Sequence, residues 1–275
     1  MENVGRAKGF AVQHPVVSYF TLTFAISWLG ALALVAPRLL RGQAVPEFTG
    51  ILMFPVMLLG PVLSSIVLTY AVDGRPGIAD PFLRMGRIRV GTPWYILLLV
   101  PPVLVLGVLF CMATFFSPVY TPNRFIAGIS FGIIAGFFEE VGWMGYAFPK
   151  MLQNQNALGA GITLGALWGL WHLPVIDYLG TATPHGAYWL RYFLAFTAVV
   201  SAMRVLIAWI YTHTNSVALA QLMHATGSLV VFSPTGVTAE QEAQWHAPYA
   251  VVLWLGVGTL AAIFGKDLRL QSNSA

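Results

Sequence analysis

The stretch GFFEEVGWMGYAFP, residues 136–149, sets two adjacent carboxylates, Glu139 and Glu140, at the end of a long apolar run. Only 9% of the 275 residues are charged, 57% are hydrophobic, and mean hydropathy is +0.74. A soluble domain is about 45–50% apolar and about 25% charged. A chain this apolar has too little polar surface to cover itself in water, so it reads as an integral membrane protein. Two neighbouring ionisable side chains are costly in such a run. Ionisable residues inside spans face the bundle interior, find partners and mark function.

A spanning helix needs about 20 mainly apolar residues. Working outward from the stretch above, eight segments qualify, at about 17–36, 49–72, 93–117, 125–148, 157–179, 188–212, 216–234 and 248–265. Polar residues interrupt the fourth and seventh. The expected fold is all-α: a polytopic bundle of about eight transmembrane helices with a polar intramembrane cavity. It forms one domain over residues 1–275, with the chemistry-bearing motifs in 125–234. No linker, low-complexity tract or internal repeat divides the chain. The polar connection from Asp73 to Trp94 reads as a loop. Its segment Pro81–Val90 is either a short basic amphipathic helix on the membrane surface or solvated. ALALVAP at 31–37 has the small residues of a cleavage site, but its apolar run exceeds the usual 7–15 residues of a signal peptide. It reads as a retained first helix. Cys111 makes no internal disulfide and no CxxC site, and reads as a small buried hydrophobe.

Lys and Arg in the loops set orientation. With the N-terminus inside, the inner segments carry Arg6, Lys8, Arg75, Arg84, Arg87, Arg89, Lys150, Lys266 and Arg269. The outer segments carry Arg38, Arg41, Arg124 and Arg191. Nine against four, with an even number of spans, places both termini in the cytoplasm of a plasma (inner) membrane protein. The net charge of +4 is then a topology signal and no sign of nucleic-acid binding.

The intramembrane polar inventory is short: Glu139, Glu140, His172, Arg204 and His224, with Asp177 near a span end. His185, His213 and His246 fall in loops or at span ends and are set aside. Gly161, Gly165 and Gly169 repeat every four residues, a small-residue stripe that lets a neighbouring helix approach closely. His172 lies near that face, Trp168 sits one turn before it and can pack on its ring, and Pro174 loosens the helix end. His224 and Ser228, four apart, point the same way. Arg204 either snorkels or forms a buried ion pair.

A set of two carboxylates and two imidazoles suits peptide hydrolysis, which needs an activated water and donors for the oxyanion. Desolvation makes a carboxylate a stronger base than it is in water. A His₂Glu set of Glu139, His172 and His224 could instead hold a divalent metal such as zinc with one open position. No HExxH is present, so only the zincin arrangement is excluded. The cofactor therefore stays open between none and one divalent metal.

Three ordered motifs carry a resemblance. EEVGWM at 139–144 resembles the EExxxR motif, WGLWH at 168–172 the FxxxH motif, and HATGS at 224–228 the HxxxN motif of the membrane-embedded CAAX prenyl protease and bacteriocin-processing (CPBP or Abi) family. Weaker similarity extends through LLGPVLSSIVLTYAVDGRPG and PWYILLL. The resemblance implies an intramembrane endopeptidase acting on a membrane-associated peptide or protein. It implies that Glu139 activates water with help from His172, and that His224 and residue 228 form the oxyanion site. Glu140 would be the structural partner of the motif's arginine. The family includes proteins described as metal-dependent and others described as metal-free glutamate proteases. Two positions depart from the pattern. Met144 stands where the motif has Arg, and Ser228 where it has Asn. Arg204, the one cation within a span, is expected to replace the missing arginine from another helix, with a fork suited to two-point binding of a carboxylate. Two other classes keep the same fold: a non-catalytic immunity or scaffold protein, and a proton-coupled transporter. Against the transporter, no repeated halves with matching broken helices are visible. The expected partners are membrane lipid and a membrane-associated substrate.

Overall fold

The computed structural model describes residues 9–124, 126–176, 185–227 and 232–269. Helix α1 (Pro15–Leu39) starts on a proline in its first turn, where the missing N–H has no intrahelical partner to lose. Helix α2 (Glu47–Met85) runs 39 residues and bends at Gly74, φ 72°. Short α3 (Thr92–Leu97) leads into α4 (Val100–Phe115). Helix α5 (Ile126–Gly142) passes into a π-helical turn, Trp143–Ala147, and then α6 (Phe148–Met151). Helix α7 (Ala157–Trp171) is capped by the Asn156 side chain, which accepts from the Gly159 N–H at 2.8 Å. Helix α8 (Trp189–Thr214) closes on left-handed Asn215, and α9 is Val217–Gly227. Helix α10 (Ala239–Phe264) opens with a capping box between Thr238 and Gln241.

The helices pack as neighbours α1 on α2, α7 on α8, α8 on α10, and α5 on both α9 and α2. A short antiparallel pair, β1 (Asn123–Arg124) with β2 (Phe232–Ser233), ties the start of α5 to the segment after α9. The glycine stripe does what its spacing predicts. A Cβ on Gly165 would lie 2.5 Å from the Ser201 Cα, so α7 meets α8 backbone to backbone. A Cβ on Gly136 would lie 2.8 Å from the Gln221 carbonyl oxygen, which marks an equally close approach of α5 to α9. Leu29, Val67, Phe110 and Leu255 project outward from α1, α2, α4 and α10. Such outward apolar side chains are the surface that a bilayer covers.

The chain is a polytopic helical membrane protein. Among the described residues six helical segments are long and apolar enough to cross a membrane: Pro15–Leu39, Phe48–Met85, Thr92–Phe115, Ala157–Val175, Gly186–Thr214 and Ala239–Phe264. The expected count of eight is therefore not reached by length and composition. The two remaining segments correspond to 125–148, a 17-residue helix followed by the π turn, and 216–234, an 11-residue helix. Both carry the polar motif residues, and both pack against other helices, so they need less apolar length of their own. Residue 125 and residues 228–231 lie outside the described residues.

Three further expectations change. The connection from Asp73 stays helical to Met85, and only residues 87–91 are irregular. The last span begins at Ala239, because the capping box starts the helix before Pro248. Cys111 is exposed on the outer face of α4, where an apolar thiol needs no burial beneath lipid.

Candidate active site

Adjacent residues on a helix point about 100° apart, and this separates the two carboxylates. Glu139 and Glu140 lie in the last turn of α5, 3% and 0% exposed. Glu139 turns toward two indoles. Trp143, one turn further along, donates its Nε1–H to Oε2 at 3.0 Å, and Trp168 of α7 donates to the same oxygen at 2.6 Å. Two indole N–H groups fix the carboxylate on one oxygen, and Oε1 carries neither.

Glu140 faces the other way, between α8 and α9. Arg204 Nη1 lies 2.6 Å from its Oε2, with both side chains fully buried. His224 Nδ1 lies 2.7 Å from its Oε1. Arg204 therefore does not snorkel. Its contact is single rather than two-point, because His224 occupies the second carboxylate oxygen. Among the described residues, the Arg204 Nε and Nη2 atoms are buried without a hydrogen-bond partner. The guanidinium carbon stands 4.3 Å from the Trp168 ring centroid, so cation–π attraction supplies part of what those donors lack. Met144, in the position of the motif's arginine, is buried and apolar. The cation reaches Glu140 from α8 instead.

Trp168 thus touches both carboxylate systems. Its indole N–H holds Glu139, its ring face takes Arg204, and its edge-on neighbours are His172 and His224, at 5.5 and 4.9 Å between centroids. Its carbonyl accepts from His172 Nδ1 at 2.8 Å. A carbonyl only accepts, so this contact puts the His172 proton on Nδ1 and leaves Nε2 as an acceptor. His172 is the C-cap of α7, where the helix gives way to the 3₁₀ turn Leu173–Val175 at Pro174.

Glu139, His172 and His224 line one cavity of about 320 Å³, together with Trp168, Phe196 and Met203. Its other walls are mostly apolar. Ser228 lies outside the described residues, as does Asp177. Among the described residues, no three His, Cys, Asp or Glu side chains are grouped closely enough to hold a metal ion.

Several neighbours escaped the sequence reading. Trp143 was legible in principle, since it stands four residues after Glu139 on the same face. Arg84, counted above as a loop cation, is buried against the π turn. Glu242 and His246 of α10 also line the cavity, and His185 Nε2 sits 3.1 Å from Glu242 Oε2. His185 and His246 read from the sequence as loop or span-end residues, and Glu242 lies before the expected start of the last span at about 248.

Residues 121–230 match the family described as type II CAAX prenyl endopeptidase, Rce1-like. The chain is also 24% identical over 223 residues to CAAX prenyl protease 2 of Methanococcus maripaludis, covering 75% of this chain and 80% of that protein. Both matches and the three ordered motifs point the same way, and the chain is similar to the CAAX prenyl protease (CPBP) family.

Proposed function

We propose that this protein is a CAAX-type intramembrane endopeptidase in which Glu139 activates water. The observation that carries the reading is the Glu139 carboxylate, buried and held on one oxygen by two indoles, on a cavity shared with His172 and His224. A water at Glu139 Oε1 gives one hydrogen to that oxygen and the other to His172 Nε2. The carboxylate takes the proton as the water oxygen forms its bond to the scissile carbonyl carbon. His224 hydrogen-bonds Glu140 through its Nδ1–H and the oxyanion through its Nε2–H, releasing neither proton. When the carbon–nitrogen bond breaks, the proton held by Glu139 passes to the leaving amine. Glu140 and Arg204 stay out of the reaction and fix His224.

The relative's name supplies the substrate class, a prenylated protein ending in a CAAX sequence. In proteoliposomes the purified protein should cleave a farnesylated peptide ending in CAAX, and ¹⁸O-labelled water should leave one label in the new carboxylate. Verified metal removal by a chelator should leave turnover unchanged. Loss on chelation with recovery on zinc addition would replace the glutamate mechanism with a metal-assisted one. A protein that binds such peptides without cleaving them would be a scaffold. Uptake driven by a proton gradient would make it a transporter.

A further inference from the structure

Pro149 removes one N–H from the helix just after the π turn. In the π register that N–H would bond the Met144 carbonyl, and in the α register the Gly145 carbonyl. Both residues are buried, and a buried carbonyl needs a donor. Both carbonyls have one. Arg84, near the end of α2, places Nη2 2.6 Å from the Gly145 oxygen and Nη1 3.4 Å from the Met144 oxygen. Its other terminal hydrogens go to the Tyr211 hydroxyl on α8 and to Asp80, whose carboxylate lies 2.6 Å away. Arg84 is 6% exposed although Asp80 faces outward. A guanidinium drawn under the surface to two main-chain oxygens is there for those oxygens.

The turn it clamps opens on Trp143, the same residue that donates to Glu139, and closes with the Phe148 N–H on the Trp143 carbonyl. We propose that Arg84 is a positioning residue. Its guanidinium stands in for the N–H that Pro149 lacks, and it holds the π turn that aims Trp143 at Glu139. π turns inserted in α-helices recur at functional sites, and this one follows the paired carboxylates directly. The proposal rests on the reading of Glu139 given above. It gives Arg84 a role beyond the positive-inside pattern, in which it counts as any other loop cation.

The test combines Arg84→Met and Pro149→Ala, singly and together, in the full chain reconstituted in proteoliposomes with a farnesylated CAAX peptide as probe. Arg84→Met should lower kcat about tenfold, as expected for slight misplacement of a reacting group, with KM within about twofold of wild type. Arg84→Lys, which offers a point charge in place of a planar fork, should restore only part of kcat. In the Pro149→Ala background the restored N–H takes one orphan carbonyl, so Arg84→Met should then cost less than about threefold, a coupling between the two sites. Equal losses in both backgrounds, or a loss confined to KM, would overturn the proposal. Hydrogen exchange of the Ala147 and Phe148 amides reads the clamp without any activity. It should speed up in Arg84→Met and slow again in the double variant. If the wild type cleaves no peptide, the catalytic reading fails and exchange alone judges Arg84. Exchange unchanged by Arg84→Met would sink the clamp itself.

Discussion

At the scale of single residues, Trp168 and Glu140 divide the work of holding charge in an apolar bundle. Breaking one side of a buried ion pair costs about 3–5 kcal/mol, because the remaining charge is stranded. Arg204→Met and Glu140→Gln should each therefore destabilise strongly, and the double variant should be little worse than either single. Losses that add within about 0.5 kcal/mol would mean independent sites. Moving the cation back to its motif position, with Met144→Arg in the Arg204→Met background, should recover stability, since residues four apart share a helix face. Trp143→Phe keeps the ring and removes the N–H. A hydrogen bond to a charged group is worth about 1.5–3 kcal/mol, so turnover should fall about tenfold or more while the helix stays folded. The carboxylates, both histidines and Arg204 were legible in the sequence because each is polar where nearly everything else is apolar. Trp143 had the right spacing from Glu139, but an indole looks like core until its N–H finds a partner. Arg84 was not legible, because a loop cation and a buried clamp read alike before the chain folds.

At the scale of elements, the site depends on two close helix approaches. Gly165 sets α7 against α8, where a Cβ would also come within 3.1 Å of the Arg204 Cβ. Gly165→Ala should push α8 outward and destabilise the protein by about 1–3 kcal/mol, the usual cost of overpacking, with Arg204 drawn off Glu140. Gly258 of α10 meets nothing within 4 Å. Gly258→Ala is the matched control, and its thermal midpoint in detergent should stay at or above the wild-type value. The four-residue glycine repeat made the first approach readable from sequence. The helix limits were less readable. Hydropathy marked where the last span turns apolar, whereas Thr238 and Gln241 decide where the helix begins. The π turn left no trace in the hydropathy, because it changes hydrogen-bond register and not composition.

At the scale of the whole molecule, six segments among the described residues have the length and apolarity to cross a bilayer, and α5 and α9, which carry Glu139, Glu140 and His224, pack against each other. The class of the fold followed from composition alone. The number of spans did not, because an inner helix sheltered by its neighbours need not be apolar along its length. The loop charges argue that both ends of the chain face the cytoplasm. Reporter fusions at the two ends should both score cytoplasmic, and opposite scores would require an odd number of crossings. The proposed mechanism requires Glu139 to be the base that activates water. The most direct measurement is turnover of a farnesylated CAAX peptide by Glu139→Gln in proteoliposomes, beside wild type of equal folded content. Glutamine keeps the size and can still accept both indole N–H groups, but it cannot take a proton. Turnover should fall by about 10²-fold or more, the range expected for loss of a general base. Wild-type turnover by Glu139→Gln would remove Glu139 from the mechanism and contradict the account.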